Sequence, residues 1–363
     1  MSRSVEKKSA SIKRTDKVKM TKIALIGKTV DELKAVATEL NMPSFTGKQI
    51  ADWLYKKRVF SIDEMSNISV ANRQKLNELY EVGRTLPSHA AESVDGTKKY
   101  LFQTVDNNFI ESVYIPEDDR NTLCVSSQVG CKMNCLFCMT GKQGFGAHLT
   151  AAEILNQILS IPEAEKLTNL VFMGMGEPLD NLPNLLRALE ILTADYGYGW
   201  SPRRITVSTI GVIPKMKIFL ETTNCHLAVS LHSPFAEERL KLMPIQKAYP
   251  AEEILKELRK HDFSHQRRVS FEYIMFDGLN DSLRHAVEMV RILKGIDCRV
   301  NLIRFHAIPG ADLKTSNEEK MIFFRDYLTN NGITTTIRKS RGEDIFAACG
   351  MLSTMEKQKS KVE

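Results

Sequence analysis

The sequence has no run of about 18 apolar residues, the length a membrane-spanning helix requires, so no membrane partner is expected. No apolar stretch follows its basic N-terminus, which argues against a secretory signal. No repeat or low-complexity tract stands out. It also lacks an even, dispersed set of cysteines. The seven present are Cys124, Cys131, Cys135, Cys138, Cys225, Cys298 and Cys349, three of them tightly grouped. An odd, clustered set argues against a secreted disulfide framework and for a metal or redox site in a reducing compartment, so a cytoplasmic location is expected.

What remains is ordinary for a globular chain: 363 residues, 43% hydrophobic and 26% charged, enough for one large domain and a small accessory one. The net charge of +6 and isoelectric point near 8.8 are compatible with a nucleic-acid partner. Much of the excess lies in residues 1–20, where seven Lys or Arg face only Glu6 and Asp16. That segment reads as a basic, disordered tail or an extension ahead of a start at Met20, with an RNA-contacting arm as the alternative.

Residues 21–95 carry helical apolar periods in "TVDELKAVATEL", "GKQIADWLYKKR" and "SVANRQKLNELY", and Thr29 with Glu32 has the spacing of a capping box. This predicts a helical accessory domain. Residues 96–116 read as a β-rich connection, with "DNN" as a turn between "KKYLFQTV" and "FIESVYI". From 117 to 350 apolar strands alternate with amphipathic helices through six units: "TLCVSS", "TNLVFMG", "RRITVST", "CHLAVSLH", "RVSFEYIMF" and "CRVNLIRF" are the strands. Such alternation predicts an α/β domain, a partial (β/α)6 barrel whose function gathers at the C-terminal strand ends. Residues 351–363 read as a tail.

Cys131, Cys135 and Cys138 form C-x3-C-x2-C directly after the first barrel strand. Thiolates suit iron–sulfur clusters or zinc. Iron–sulfur clusters commonly take four cysteines; three, with no fourth nearby, would leave one iron open to chelate the amino and carboxylate groups of S-adenosylmethionine (SAM). The alternative is a zinc site completed by a distant ligand, for which His148 is the nearest candidate.

The cysteine spacing resembles the radical SAM superfamily. The wider segments "SSQVGCKMNCLFCMTGKQGF", "FMGMGEPLDN", "SPRRITVSTIGVIP", "AVSLHSP", "KLMPI", "NLIRFHAIPG" and "GEDIFAACGML" resemble, in order, the RlmN/Cfr family of RNA adenine methyltransferases over roughly residues 21–355. The resemblance implies a radical SAM barrel, one four-iron four-sulfur cluster on Cys131, Cys135 and Cys138, and two SAM molecules per turnover. It implies SAM contacts from Gly176, Glu177, Ser208, Ser230, Leu231, His232 and His306, the last at a position where many members have Asn.

The same resemblance implies that Cys349 is first methylated on sulfur and then loses hydrogen from that methyl group to a deoxyadenosyl radical. The resulting methylene adds to adenine, Glu111 accepts a proton, and Cys124 resolves the adduct by attacking the sulfur of Cys349, leaving a transient disulfide. Alternation along its strand would make Glu111 a solvated residue. Cys225 and Cys298 match no motif and read as packing residues.

The implied substrates are an adenosine of 23S rRNA near the peptidyl-transferase centre and the adenosine following the anticodon in tRNA, with an electron donor such as flavodoxin or ferredoxin. A monomer is expected. The basic runs 55–58, 201–204, 265–268 and 338–341 are candidate phosphate contacts or solvated faces. Two other readings stay open: methylation at carbon 8, as in the resistance branch of the family, and a zinc-stabilised RNA-binding protein without catalysis.

Overall fold

The computed structural model describes residues 22–264, 267–348 and 350–352. The expected tail at 1–20, Cys349 and nearly all of the expected tail at 351–363 lie outside these residues.

Among the described residues the N-terminal part folds around helices α1 (Val30–Glu39), α2 (Thr46–Ala51) and α3 (Val70–Leu79). The capping box predicted for α1 is present: the Thr29 hydroxyl accepts from the Glu32 N–H at 3.3 Å, and the Glu32 carboxylate accepts from the Thr29 N–H at 2.8 Å. Leu33, Val36 and Ala37 form the buried face of α1. Helix α2 runs on as a π-helical turn, Asp52–Lys56, which keeps Leu54 and Tyr55 buried. A two-residue parallel pairing of Ile23–Ala24 with Tyr80–Glu81 closes the unit.

A ten-stranded sheet follows, in which every strand neighbours its successor in sequence. Strands β1 (His89–Glu92), β2 (Lys98–Gln103) and β3 (Phe109–Pro116) are antiparallel, and β3 pairs antiparallel with β4 (Asn121–Cys124). From β4 onward the pairing is parallel through β5 (Asn169–Phe172), β6 (Ile205–Thr209), β7 (His226–Ser230), β8 (Val269–Met275), β9 (Cys298–Arg304) and β10 (Thr334–Ile337). The span read as a β-rich connection thus contributes β2 and β3 to the barrel sheet itself.

Helices follow the parallel strands. The short α4 (Met139–Lys142) and α5 (Ala151–Leu159) follow β4, α6 (Leu182–Thr193) follows β5, and α7 (Ile213–Thr222) follows β6. Next come α8 (Ala236–Leu242) and α9 (Ala251–Leu258) after β7, α10 (Leu283–Leu293) after β8 and α11 (Glu318–Asn330) after β9. These are the six β/α units expected, with β10 as a further parallel edge strand. Every residue of β8 is buried, as a strand covered on both faces requires. The sheet stays open, with β10 and β1 as its edges.

The chain after β10 is tied back to the antiparallel end of the sheet. The Asp344 carboxylate accepts from the Ser93 hydroxyl at 2.5 Å and the Val94 N–H at 3.2 Å, and Asp95 accepts from the Gly342 N–H at 3.0 Å. Gly342 has φ +63°, and a Cβ there would lie 2.9 Å from Thr97 and 2.8 Å from Ala347. This tie spans the open side between the two sheet edges.

Gly47 allows α2 to rest on α1: a Cβ at this position would sit 2.4 Å from the Lys34 backbone nitrogen. Gly47→Ala is expected to cost about 1–3 kcal/mol, as overpacking does, measured by urea denaturation followed through Trp53 fluorescence. An unchanged midpoint would mean that the helix crossing does not depend on this contact.

Candidate active site

The C-terminal ends of β4–β9 surround one cavity. Its lining includes Cys131, Cys135 and Cys138, so the three cysteines of the motif converge on it. Their loop is gripped on several sides. The Cys131 N–H donates to Gly144 O at 3.0 Å, the Leu136 N–H to Leu242 O at 2.9 Å, and the Met139 N–H to Gly350 O at 2.8 Å. The loop is the connection of a small antiparallel hairpin, Gln128–Gly130 with Phe145–His148, and Gly130, at φ +69°, lets the chain leave it; a Cβ there would lie 1.8 Å from Gly144 O. Burial pushes the Cys131 thiol up to about 12 and raises Cys135 and Cys138 as well. Without metal these groups are thiols, and binding must displace their protons.

The donor set fits a cluster better than a zinc ion. Among the described residues no three of His, Cys, Asp and Glu converge tightly enough to close around one ion. A cluster needs only one thiolate per iron, with the sulfurs held apart by its width. His148, the candidate fourth zinc ligand, instead meets Gln128 at 3.0 Å and lies 3.9 Å from Asp180.

The proposed SAM positions occupy consecutive strand ends. Gly176, Glu177, Ser208, Ser230 and His232 all line the cavity. Gly176 has φ +99°, and a Cβ would meet the Gln128 side chain at 2.5 Å. Glu177 is buried, and its carboxylate accepts from the Thr209 hydroxyl at 2.5 Å and the N–H groups of Ile210 (3.0 Å) and Leu179 (3.2 Å). Burial lifts its pKa to about 7, while those hydrogen bonds favour the ionised form. The carboxylate therefore also stitches β5 to β6.

His232 adopts φ +57° and packs edge-on to Phe137, with ring centroids 4.8 Å apart. Its Nδ1 accepts from the Ile274 N–H at 3.0 Å, which leaves the proton on Nε2. The side chain of Leu231 belongs to the core rather than to the lining. His306 also lies outside the lining; its Nε2 is 3.2 Å from the Ser340 hydroxyl.

Several lining groups were not singled out from the sequence. Glu272 on β8 accepts from Asn301 Nδ2 at 2.7 Å and Ser270 Oγ at 3.2 Å, with its second oxygen 3.6 Å from Arg338 Nη1. A carboxylate inside the largely apolar stretch "VSFEYIMF" was the available signal. Arg338, read only as part of a basic run, faces this carboxylate. In the same run Arg341 lies 4.0 Å from Asp95.

Cys124, at the end of β4, lines the cavity, and so do Ala348 and Gly350, the two chain neighbours of Cys349. The fold thus brings the segments carrying both cysteines to one chamber. Glu111 is buried in β3, where both faces are covered, not solvated as alternation suggested. It lies 3.1 Å from Lys99 Nζ, and it shares a face of β3 with Val113 and Ile115, which line the cavity. Cys225 and Cys298 stay outside the lining.

A parallel β/α barrel with three cysteines at the end of its first strand defines a radical SAM protein, and the family model of the Radical SAM superfamily matches residues 125–290. A second model, the ribosomal RNA large subunit methyltransferase N-terminal domain, matches residues 23–82. A probable dual-specificity RNA methyltransferase RlmN of Phocaeicola vulgatus is 62% identical over 94% of this chain and 97% of its own. The dual-specificity RNA methyltransferase RlmN of Syntrophus aciditrophicus is 42% identical over 92% of this chain and 97% of its own. The crystal structure of a radical SAM methyltransferase from Sphaerobacter thermophilus superposes with a TM-score of 0.87 at 38% identity, covering 92% of this chain and 99% of that one. The chain belongs to the RlmN family of radical SAM RNA methyltransferases.

Burial, and then the charge of Arg239, depress His232 to about 3. The folded chain therefore holds this imidazole neutral where the unfolded chain, titrating near 6.5, takes up a proton. Its contribution is complete above about pH 6.5 and is lost as pH falls toward 3, with a slope of about 1.4 kcal/mol per pH unit. His232→Asn should flatten that part of the stability–pH curve in urea titrations; an identical slope in both proteins refutes the assignment. Gly176→Ala should abolish SAM binding in calorimetry while leaving iron content unchanged.

Proposed function

We propose that the chain methylates carbon 2 of adenosine in 23S rRNA and in tRNA through an S-methylcysteine on Cys349. The observation that carries this reading is the single cavity shared by the three-cysteine loop, Cys124 and both neighbours of Cys349. Carbon 2 of adenine lies between two ring nitrogens and is electron-poor, so it does not attack a methyl sulfonium; a carbon radical can add to it. A bound cluster would supply the one electron that cleaves SAM to a deoxyadenosyl radical.

The remaining work falls to the chain. Cys131, Cys135 and Cys138 would hold three irons and leave the fourth for SAM. Gly176, whose missing side chain leaves the backbone open, and the polar groups of Ser208 and Ser230 would seat SAM against the strand ends, with Leu231 and His232 shaping the same wall. Glu177 would meet the ammonium group, and His306 is proposed as an outer contact near the ribose.

Cys349 would carry the methyl carbon to the base. Glu111 would take the proton from carbon 2, with Lys99 holding the carboxylate in place, and the adduct's unpaired electron would return to the cluster, which gave one up when SAM was cleaved. Cys124, as a thiolate, would then attack the sulfur of Cys349; the departing methylene carbon would take a proton and leave as the methyl group of the RNA, and the remaining disulfide needs two electrons from a dithiol before the next turnover. The target base has to leave its stack to enter such a chamber, which favours unpaired adenosines. We place this activity in the cytoplasm, in a monomer supplied with electrons by flavodoxin or ferredoxin.

Nucleoside mass spectrometry tests the reading. Protein reconstituted with iron and sulfide would be incubated anaerobically with SAM, a reductant and unmodified tRNA or a 23S rRNA fragment. The expected product is 2-methyladenosine; 8-methyladenosine would move the chain to the other branch, and intact SAM would remove the radical mechanism. Cys124→Ala should accumulate RNA covalently attached to protein on denaturing gels. Recovering only free RNA would rule out Cys124 as the resolving residue.

A further inference from the structure

Arg239 on α8 has no solvent exposure. A guanidinium has five N–H donors, and five hydrogen bonds leave this one. Nε donates to Leu231 O at 3.2 Å, Nη1 to Gln246 Oε1 and to Tyr249 O at 3.4 Å, and Nη2 to Ile210 O at 3.0 Å and Ser230 O at 3.2 Å. All five acceptors are uncharged, and among the described residues no Asp or Glu forms an ion pair with it. Hydrogen bonding is thus satisfied while the charge is not. A buried charge is retained when something opposite in sign compensates it.

The helix that carries Arg239 is joined to the cysteine loop: Leu242, at the end of α8, accepts the Leu136 N–H from the loop between Cys135 and Cys138. Ile210 and Ser230, which Arg239 holds by their carbonyls, line the same cavity as Cys135.

We infer that Arg239 is the buried counter-charge of the metal cluster, a positioning residue that favours the cluster's reduced state. The inference rests on the proposed cluster at Cys131, Cys135 and Cys138. One electron from a low-potential one-electron donor enters the cluster and makes it more negative by one unit, with no bond broken. A fixed positive charge in a dry site lowers the cost of that added charge. Because the same guanidinium pins the ends of β6 and β7, the charge cannot move away.

The test is the midpoint potential of the reconstituted cluster, followed by electron paramagnetic resonance during a redox titration with dithionite. Arg239→Met removes the charge and keeps most of the bulk. It is expected to bind the same iron and to become harder to reduce by at least tenfold in equilibrium constant, a fall of about 59 mV for one electron. Arg239→Lys keeps the charge and should stay within about twofold of wild type, even if its thermal midpoint drops. A methionine variant with wild-type iron and potential overturns the inference. If the methionine variant does not fold, the lysine variant decides: a tenfold loss there also overturns it. Wild-type protein that takes up no four-iron cluster overturns the proposed cluster itself and is recognisable before any variant is made.

Discussion

The parallel hydrogen-bonded register from β4 to β10 is the constraint on which the rest depends. Parallel strands all end at the same edge, so their loops necessarily gather there. The strands bury their apolar positions, which leaves most polar lining groups, Ser208, Thr209 and Ser230 among them, at or near a strand end. Where the chain must turn abruptly at such a terminus, the backbone takes unusual conformations: Gly176 and His232 both have positive φ. The His232 conformation is held from outside, since Asn280 Nδ2 donates to its carbonyl at 2.7 Å. Backbone energy is spent at the cavity and recovered in the network around it.

The cysteine loop is an irregular part of this rim and is tethered from several sides. Backbone bonds reach it from its own hairpin, from α8 and from the segment after β10, and the Thr140 hydroxyl adds a bond to Leu352 O at 3.0 Å. Cysteines placed to share a cluster must keep their spacing before metal arrives, because buried thiols cannot fall back on water to hold them. Tethering by elements distant in sequence provides that preorganisation.

Much of this was legible in the sequence, and the gaps have physical reasons. Strands β4–β9 announced themselves because each is a short segment rich in β-branched and other apolar residues, bounded by turn or helix signals. Helices α4, α7 and α8 carry little signal of their own: α4 and α8 span four and seven residues, and α7 carries Pro214 near its start and buries only Met216, Phe219 and Leu220. The cysteine motif and Gly176 stood out because their signals, spacing and a glycine at a strand end, lie within a few residues of chain. Glu272, Arg338 and Arg239 were not, because each acquires its meaning from partners on other strands or helices. Glu111 was misread as exposed by alternation for a related reason. Its strand extends the barrel sheet, so both faces of it are covered, and a period of two no longer separates inside from outside.

The tie from Asp344 and Gly342 to the hairpin of β1 and β2 has a consequence in time. Ala347, Ala348, Gly350 and Leu352 form one wall of the cavity, and a ribosome makes them only after every barrel strand is complete. The cysteine loop, by contrast, emerges before most of the barrel exists. During synthesis the loop and the strand ends can therefore assemble while one side of the chamber is still missing. The chamber closes when the late segment docks on strands that were among the first to emerge. Until that late segment docks, the cavity that receives the cysteine loop lacks the wall made by Ala347, Ala348, Gly350 and Leu352.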